Sequence, residues 1–436
     1  DHKSDFWGSI LFRPDAIAKI SKATLDLNRL SYEITALQNE VPEVGILYSE
    51  PSVLFNQSTM HVAYQSYAAA VFNGKRAKFI TEKQLWKMND CKLLIVPNTT
   101  NVTAETLASI KEYINNGGYV LILGEKSLMK NEHDASNDKE LLDFIYEHSD
   151  VVEYSGAATR MISPTAEDWH KKIRDILKKL GLYYVSVVDA DTNEEVDNVE
   201  YNVGVYNGDL LVNLVNFDDD RKVKIYIGGK PENSFEDILN CTTVENDIEL
   251  KKYVPVTLKA KRDNAFLDTY GHWAEEDIKK LTADGVISGV SPSRFEPGRN
   301  ITRAEFLALL LRTDKYEEAE YKNNIPDIIG NEWYAKTATA ALKEGIIEEN
   351  VLFRPNEKIT REEMCGLLVK CYEAKHGKVE SRGNISFTDI GEISDIDTVS
   401  KAVSLDLMYG RDNGNFAPND LSTRAEAAAV ISRYIG

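Results

Sequence analysis

The chain has 436 residues, room for roughly two to four domains, and 43% of them are hydrophobic, as in ordinary globular proteins. Its formal net charge of −19 excludes a polyanion such as DNA as partner, because no basic face exists to release counterions. No run of eighteen apolar residues occurs, which excludes a helical membrane span. Four cysteines make no disulfide framework in this length. Cys91 and Cys241 are far apart, and Cys365 and Cys371 point in different directions on a helix, so four free thiols, mostly buried, are expected. The chain starts Asp1-His2-Lys3 without methionine or signal-peptide pattern, and a processed or truncated amino terminus is expected.

Residues 14–37 read as one helix, with Pro14 in its first turn and Ile17, Ile20, Leu27 and Leu30 at helical spacing. Strands and helices then alternate. Val44–Tyr48 is a short buried strand, and His61–Phe72 an apolar helix closed by Asn73-Gly74. Ala77–Ile80 and Leu93–Val96 are strands, Thr103 caps a helix through Ile114, and Tyr119–Leu123 is the next strand. This alternation predicts a parallel sheet covered by helices, with further helices near 139–148 and 166–180. From Tyr183 to Lys261 the period changes to two. Leu210–Val215 and Val223–Ile227 flank Asp218-Asp219-Asp220, and Ile248–Leu258 is strand-like, which predicts a small antiparallel β domain.

After Asn264 the chain repeats itself three times. Phe-x-Pro occurs at Phe295, Phe353 and Phe416, and Thr-Arg-x-Glu follows at Thr302–Glu305, Thr360–Glu363 and Thr423–Glu426. An aspartate leads each unit, at Asp268, Asp327 and Asp389. Each Thr-x-x-Glu predicts a capping box, in which Thr302, Thr360 or Thr423 accepts from the N3 amide and Glu305, Glu363 or Glu426 reaches back. Two short helices per unit bury little apolar surface alone, so the units must pack on one another.

Arg303, Arg361 and Arg424 each sit at the first helical position, where a cation opposes the helix dipole. Two readings stay open. A helix amino terminus and a guanidinium make an anion site, or each arginine pairs with the leading aspartate of a neighbouring unit. Trp273 and Trp333 precede the first helices of units one and two, where an indole either stacks on a sugar face or fills the core. Unit three has Ile393-Ser394 there, so its arginine is expected to count least.

Residues 265–435, with Phe266-Leu267-Asp268, His272-Trp273-Ala274, Gly285–Gly289, Phe295-Glu296-Pro297 and Ile301–Glu305, resemble three S-layer homology domains. The resemblance implies a pseudo-threefold bundle of repeats at 265–314, 324–376 and 385–436. It also implies grooves that bind an anionic, pyruvylated secondary cell wall polymer through Arg303, Arg361 and Arg424, with Trp273 and Trp333 beside them. The protein would then be extracellular, on the surface of a bacterium with a Gram-positive-type envelope.

The first 260 residues resemble the end of a β-galactosidase-type glycoside hydrolase. Gly8–Pro14 resembles its barrel exit, making 1–40 the terminal helix of a missing barrel. Residues 41–182, with Pro42–Ser49, Leu94–Asn98 and Tyr113–Leu121, resemble its flavodoxin-like middle domain, related to class I glutamine amidotransferases. That implies a homo-oligomer contact. Residues 183–262 resemble its closing β domain. The fold class expected is therefore multidomain: an α/β flavodoxin-like parallel sheet, a small antiparallel β domain and an α-rich bundle.

Catalysis is not expected from these residues. A barrel needs roughly 250 residues of strand–helix units, and a retaining glycosidase needs two strand-end carboxylates about 5 Å apart. The amidotransferase chemistry needs a cysteine on a strand-to-helix elbow, but Gly124-Glu125-Lys126-Ser127 follows the strand at Tyr119–Leu123, and Cys91 begins one. His61, His133, His148 and His170 form no pair at useful spacing. Asp189, Asp191, Asn193, Glu195, Asp197 and Glu200 fall at calcium-loop spacing, but Glu194 stands where the loop needs glycine, so a solvated acidic turn is expected. No cofactor, metal or catalytic residue is assigned. The reading is a surface-anchored, non-catalytic end of a glycosidase-like chain. The alternatives are a wall-bound structural or carbohydrate-binding protein that never had a barrel, and a hydrolase using the flavodoxin-like domain.

Overall fold

The computed structural model describes residues 14–153, 164–262, 266–316, 319–321, 324–381 and 385–436, without the side chains of 164–168. The expected barrel exit at residues 8–13 lies outside them. The chain splits into two compact units, Asp1–Asp263 and Asn264–Gly436.

The first unit opens with two helices rather than one, α1 (Pro14–Arg29) and α2 (Ser31–Asn39). The helix breaks at Leu30, whose φ of −101° and ψ of 19° leave the α basin. Of the four apolar residues on the expected stripe, only Leu30 is buried, packing with Leu211 and Ile238; Ile17, Ile20 and Leu27 are exposed. The helix propensity of this segment is real, but its packing face belongs to α2. Gly204 in the sheet beneath allows that approach, because a Cβ there would stand 3.2 Å from the Leu37 Cα.

A five-stranded sheet follows. Its elements in chain order are β1 (Val44–Tyr48), α3 (Glu50–Phe55), α4 (Ser58–Val71), β2 (Ala77–Thr81), β3 (Leu93–Pro97), α5 (Ala104–Asn115), β4 (Tyr119–Leu123), α6 (Lys139–Glu147), β5 (Asp150–Val152) and α7 (Pro164–Lys179). The strands are parallel in the order β2-β1-β3-β4-β5. Both faces are covered. Leu47, Leu94, Val96, Val120 and Ile122 pack against Leu107 and Ile110 of α5 and Leu142 and Ile145 of α6. Val44, Ile46, Leu93, Ile95 and Leu121 pack against Val62 and Ala69 of α4 and Ile173 and Leu177 of α7. That two-sided burial is why the strands read as unbroken apolar runs. Thr103 caps α5 through the Thr106 amide. The edge strand β5 was not read from the sequence, since three residues carry no period.

The remaining strands of this unit are β6 (Val185–Asp189), β7 (Val199–Tyr206), β8 (Asp209–Asn216), β9 (Arg221–Ile227), β10 (Lys230–Pro231), β11 (Ser234–Asp237), β12 (Thr242–Glu245), β13 (Ile248–Leu250) and β14 (Pro255–Ala260). They form two antiparallel sheets. One has the order β10-β9-β13 with β6 on β9, the other β12-β11-β14-β8-β7. The runs flanking Asp218–Asp220 are thus not a hairpin, because β8 and β9 lie in different sheets. Asn216 makes that corner: its Nδ2 donates to the carbonyls of Asp218, Asp219 and Leu250. The strand-like run 248–258 splits between the two sheets for the same reason.

The second unit holds two helices per repeat: α8 (Glu275–Ala283) and α9 (Arg303–Thr313), α10 (Ala335–Lys343) and α11 (Arg361–His376), α12 (Ile396–Ser404) and α13 (Arg424–Ile435). Each second helix packs on the first helix of the next repeat, α9 on α10, α11 on α12 and α13 on α8. The backbone closes the same ring. Ile359 N–H donates to the Ile301 carbonyl, Ser422 N–H to Ile359 and Ile301 N–H to Ser422, at 2.9–3.0 Å. One core runs through all three repeats, including Phe295, Phe306, Phe353, Leu368, Phe416 and Ile431.

Candidate functional site: the grooves between repeats

All three capping boxes form. Thr302, Thr360 and Thr423 accept from the amides of Glu305, Glu363 and Glu426, whose carboxylates accept from the threonine amides in return. The other free amides at these helix starts are used by the next repeat. Arg303 and Ala304 N–H donate to the carbonyls of Glu357 and Pro355, Arg361 and Glu362 to Asp420 and Pro418, and Arg424 and Ala425 to Arg299 and Pro297. The helix amino termini therefore offer no backbone donors to an anion, which corrects that half of the sequence-based reading.

The pairing with leading aspartates is also corrected. Asp268, Asp327 and Asp389 each bind two backbone amides in the Phe-x-Pro loop of their own repeat, at 2.6–2.9 Å. The middle residue of each loop, Glu296, Arg354 or Ala417, sits at φ 56–59°, and the aspartate holds that left-handed turn in place. Each arginine instead reaches the Phe-x-Pro loop of the next repeat. The Nε of Arg303, Arg361 and Arg424 donates to the carbonyl of Phe353, Phe416 and Phe295 at 2.7–2.9 Å, with the guanidinium over that ring. Burial pulls all three guanidinium pKa values below the ordinary arginine range. They remain charged, because arginine starts so far above neutrality.

The three arginines part company beyond that bond. The Nη1 of Arg303 is buried 2.9 Å from the Glu363 carboxylate, which Arg354 also contacts. Arg361 is 8% exposed, lies 3.5 Å from Glu426, and donates through Nη2 to the Tyr409 carbonyl. Arg424 donates through Nη2 to the Ser288 carbonyl, and no carboxylate lies within 4 Å of it among the described residues. Its neighbour Glu305 is held instead by Arg299, at 2.8 Å.

Trp273 and Trp333 are 65% and 63% exposed, so neither is core. Trp333 lines a cleft of about 120 Å³ together with Phe295, Leu309, Arg312 and Arg424. One wall comes from each repeat: the loop and α9 from the first, the indole from the second, the guanidinium from the third. Arg424, expected to count least, shares this cleft with an indole.

Arg312 was missed in the sequence, as was its counterpart Arg433. Both stand ten residues after the capping threonine, and both donate to a loop carbonyl, Val286 and Leu407 respectively, at 2.8–2.9 Å. Lys370 holds that position in the second repeat and pairs with Glu348. The regular spacing was the available signal, but a cation in the last turn of a helix also suits the dipole, so it drew no notice.

In the first unit, the turn after β3 carries Asn98 at φ 49°, with its Nδ2 donating to Ser58 Oγ. In the acidic turn, Asp189 Oδ1 accepts from the amides of Asp191 and Thr192. Cys91, Cys365 and Cys371 are buried thiols, whose pKa burial raises, and Cys241 is exposed.

The S-layer homology domain family matches residues 265–307, 324–365 and 386–428. The carboxy-terminal unit therefore consists of three S-layer homology domains and is an extracellular, cell-surface anchoring module. Similar proteins include an amylopullulanase of Thermoanaerobacterium thermosulfurigenes, 33% identical over 51% of this chain and 12% of its own length. An exoglucanase of Acetivibrio thermocellus is 37% identical over 39% of this chain and 16% of its own. A surface-layer 125 kDa protein of Lysinibacillus sphaericus is 32% identical over 42% and 16%. The chain thus spans less than a fifth of the length of these relatives. Among solved structures, an apo exo-carrageenase GH42 from Bacteroides ovatus matches 57% of this chain and 33% of its own, at 18% identity and a TM-score of 0.47. A GH42 beta-galactosidase matches 51% and 41%, at 16% identity and a TM-score of 0.39.

Proposed function

We propose that residues 265–436, as a pseudo-threefold bundle, hold this chain on a bacterial envelope by seating an anionic secondary cell wall polymer in grooves between repeats. The observation that carries this is the cleft of Trp333, Arg312 and Arg424. An exposed indole gives a sugar ring its apolar platform, and two guanidinium groups beside it suit a carboxylate on that ring. Arg424 and Arg361 with Trp333 and Trp273 are the ligand-facing set. The first 262 residues are read as the non-catalytic end of a glycoside hydrolase-like protein. The strand order 2-1-3-4-5 of the parallel sheet supports a flavodoxin-like middle domain in this reading, and homo-oligomer contacts through that domain are proposed with it. A sedimentation assay with peptidoglycan-linked wall polymer tests the anchor. Residues 265–436 should sediment with the polymer while 1–262 stay in solution; the reverse partition would end the proposal.

A further inference from the structure

We infer that the cavity under α2, in the first unit, is a binding site for an amino sugar, with the ammonium on Glu200 and the ring hydroxyls on Asn202, Asn213 and Thr257.

The cavity arises from a mismatch between a helix and the sheet it covers. β7, β8 and β14 are neighbours; Asn202 stands opposite Asn213, which stands opposite Thr257. Residues opposite one another share a sheet face, and Glu200 joins them two residues before Asn202. This face is polar, yet Leu30, Ile34 and Leu37 come down on it. Helix and sheet meet further along the same face, where Leu30 packs with Leu211 and Leu37 sits over Gly204. Over the polar row they part. That leaves a cavity of about 500 Å³ with one apolar wall and one hydrogen-bonding wall, a size that suits a pyranose ring and its substituents.

The hydrogen-bonding wall is open to a ligand. Neither the Glu200 carboxylate nor the Asn202 carboxamide has a hydrogen bond or ion pair among the described residues. Glu200 is half-buried, and burial alone pushes its carboxyl above the ordinary range, with no cation to offset it. The Nδ2 of Asn213 donates to the Thr257 hydroxyl at 2.8 Å, which leaves that hydroxyl its own hydrogen to donate. Arg76 is the one cation among the described lining residues, and its Nη1 is engaged with the carbonyls of Leu37, Gln38 and Glu40 at the end of α2. Glu33 adds a second carboxylate. Two carboxylates against one committed guanidinium favour a cationic ligand.

The two walls select the rest of its chemistry. A hydrocarbon amine would bury the carboxamides and the hydroxyl without partners, and a neutral sugar would leave Glu200 uncompensated. A ring with an ammonium, hydroxyls along its rim and C–H groups on its face satisfies both walls at once.

The test is a ligand-observed NMR titration of the full chain in mildly acidic buffer. The probe is methyl 2-amino-2-deoxy-β-D-glucopyranoside. Its N-acetyl derivative lacks the charge, and cyclohexylammonium lacks the hydroxyls. Each comparison compound should bind roughly tenfold or more weakly than the charged glycoside. Glu200→Gln should weaken the glycoside by a similar factor while the melting temperature stays level or rises, because Glu200 leaves no partner behind. A carboxylate that merely holds the fold would lower the melt when replaced. If that variant fails to fold, Asn202→Leu serves, with a severalfold loss for the glycoside and none for cyclohexylammonium. Unchanged glycoside affinity in folded Glu200→Gln, or in folded Asn202→Leu, overturns the inference. Equal binding of either comparison compound, or a glycoside that gives no response up to millimolar concentration, overturns it as well.

Discussion

Arg303 and Arg424 occupy the same position in their repeats, yet their surroundings give them different work. Both hold the next phenylalanine carbonyl through Nε. Arg303 adds an ion pair with Glu363, in which its own side chain is only 12% exposed. A charge-assisted contact of this kind contributes about 1.5–3 kcal/mol, and removing one partner leaves the other without full compensation. Arg303→Ala should therefore lower the melting temperature of the repeat unit clearly more than it lowers polymer affinity. Thermal melts followed by circular dichroism, beside sedimentation with wall polymer, measure the two quantities. An affinity loss with an unchanged melt would return Arg303 to the ligand site.

At the scale of the element, each Thr-x-x-Glu ties a helix start to its own cap and to a neighbouring arginine. Burial works against the ionised form of Glu305 and Glu363, but arginine partners and the capped threonine amides outweigh it, so both carboxyls are held below their ordinary pKa. Asp389 is lowered in the same sense: burial is overcome by the Phe416 and Ala417 amides. A group whose folded pKa is depressed stabilises the fold above its unfolded value, here about 4 to 4.5. That contribution is lost as pH falls through the folded pKa. The repeat unit should thus melt at a nearly constant temperature from pH 7 to about 5 and at a steadily lower one below 4. Glu363→Gln should start lower at pH 7 and show a shallower fall, as melts across that pH range would reveal. Equal slopes for the variant and the parent chain would show that these caps are not what acid disrupts. The caps themselves were legible in the sequence, because a capping box is made by residues three apart. The break at Leu30 was not, since the helical period of α1 continues unchanged through it while the burial does not.

For the whole molecule, the described residues contain one parallel sheet of five strands and two antiparallel sheets, and no eight-stranded barrel among them. If the first unit is the non-catalytic end proposed above, aryl-galactosides should turn over at background rate with this chain. Turnover well above background, abolished by substituting one carboxylate of the chain, would place a catalytic site in the first unit. The sequence by itself determined the alternation that makes a parallel sheet, the three repeats and their capping boxes. All of these are written in residues close together, where periodicity and cap chemistry act. Only the tertiary structure decided which arginine meets which indole. Trp333 lies 21 residues after Arg312 and 91 before Arg424, so their shared cleft follows from the direction in which the ring of repeats closes. Each repeat carries its parts of a site that only its neighbours complete. A pattern read along one repeat therefore names the parts, while the packing of α9 on α10 and α13 on α8 assigns them to a groove.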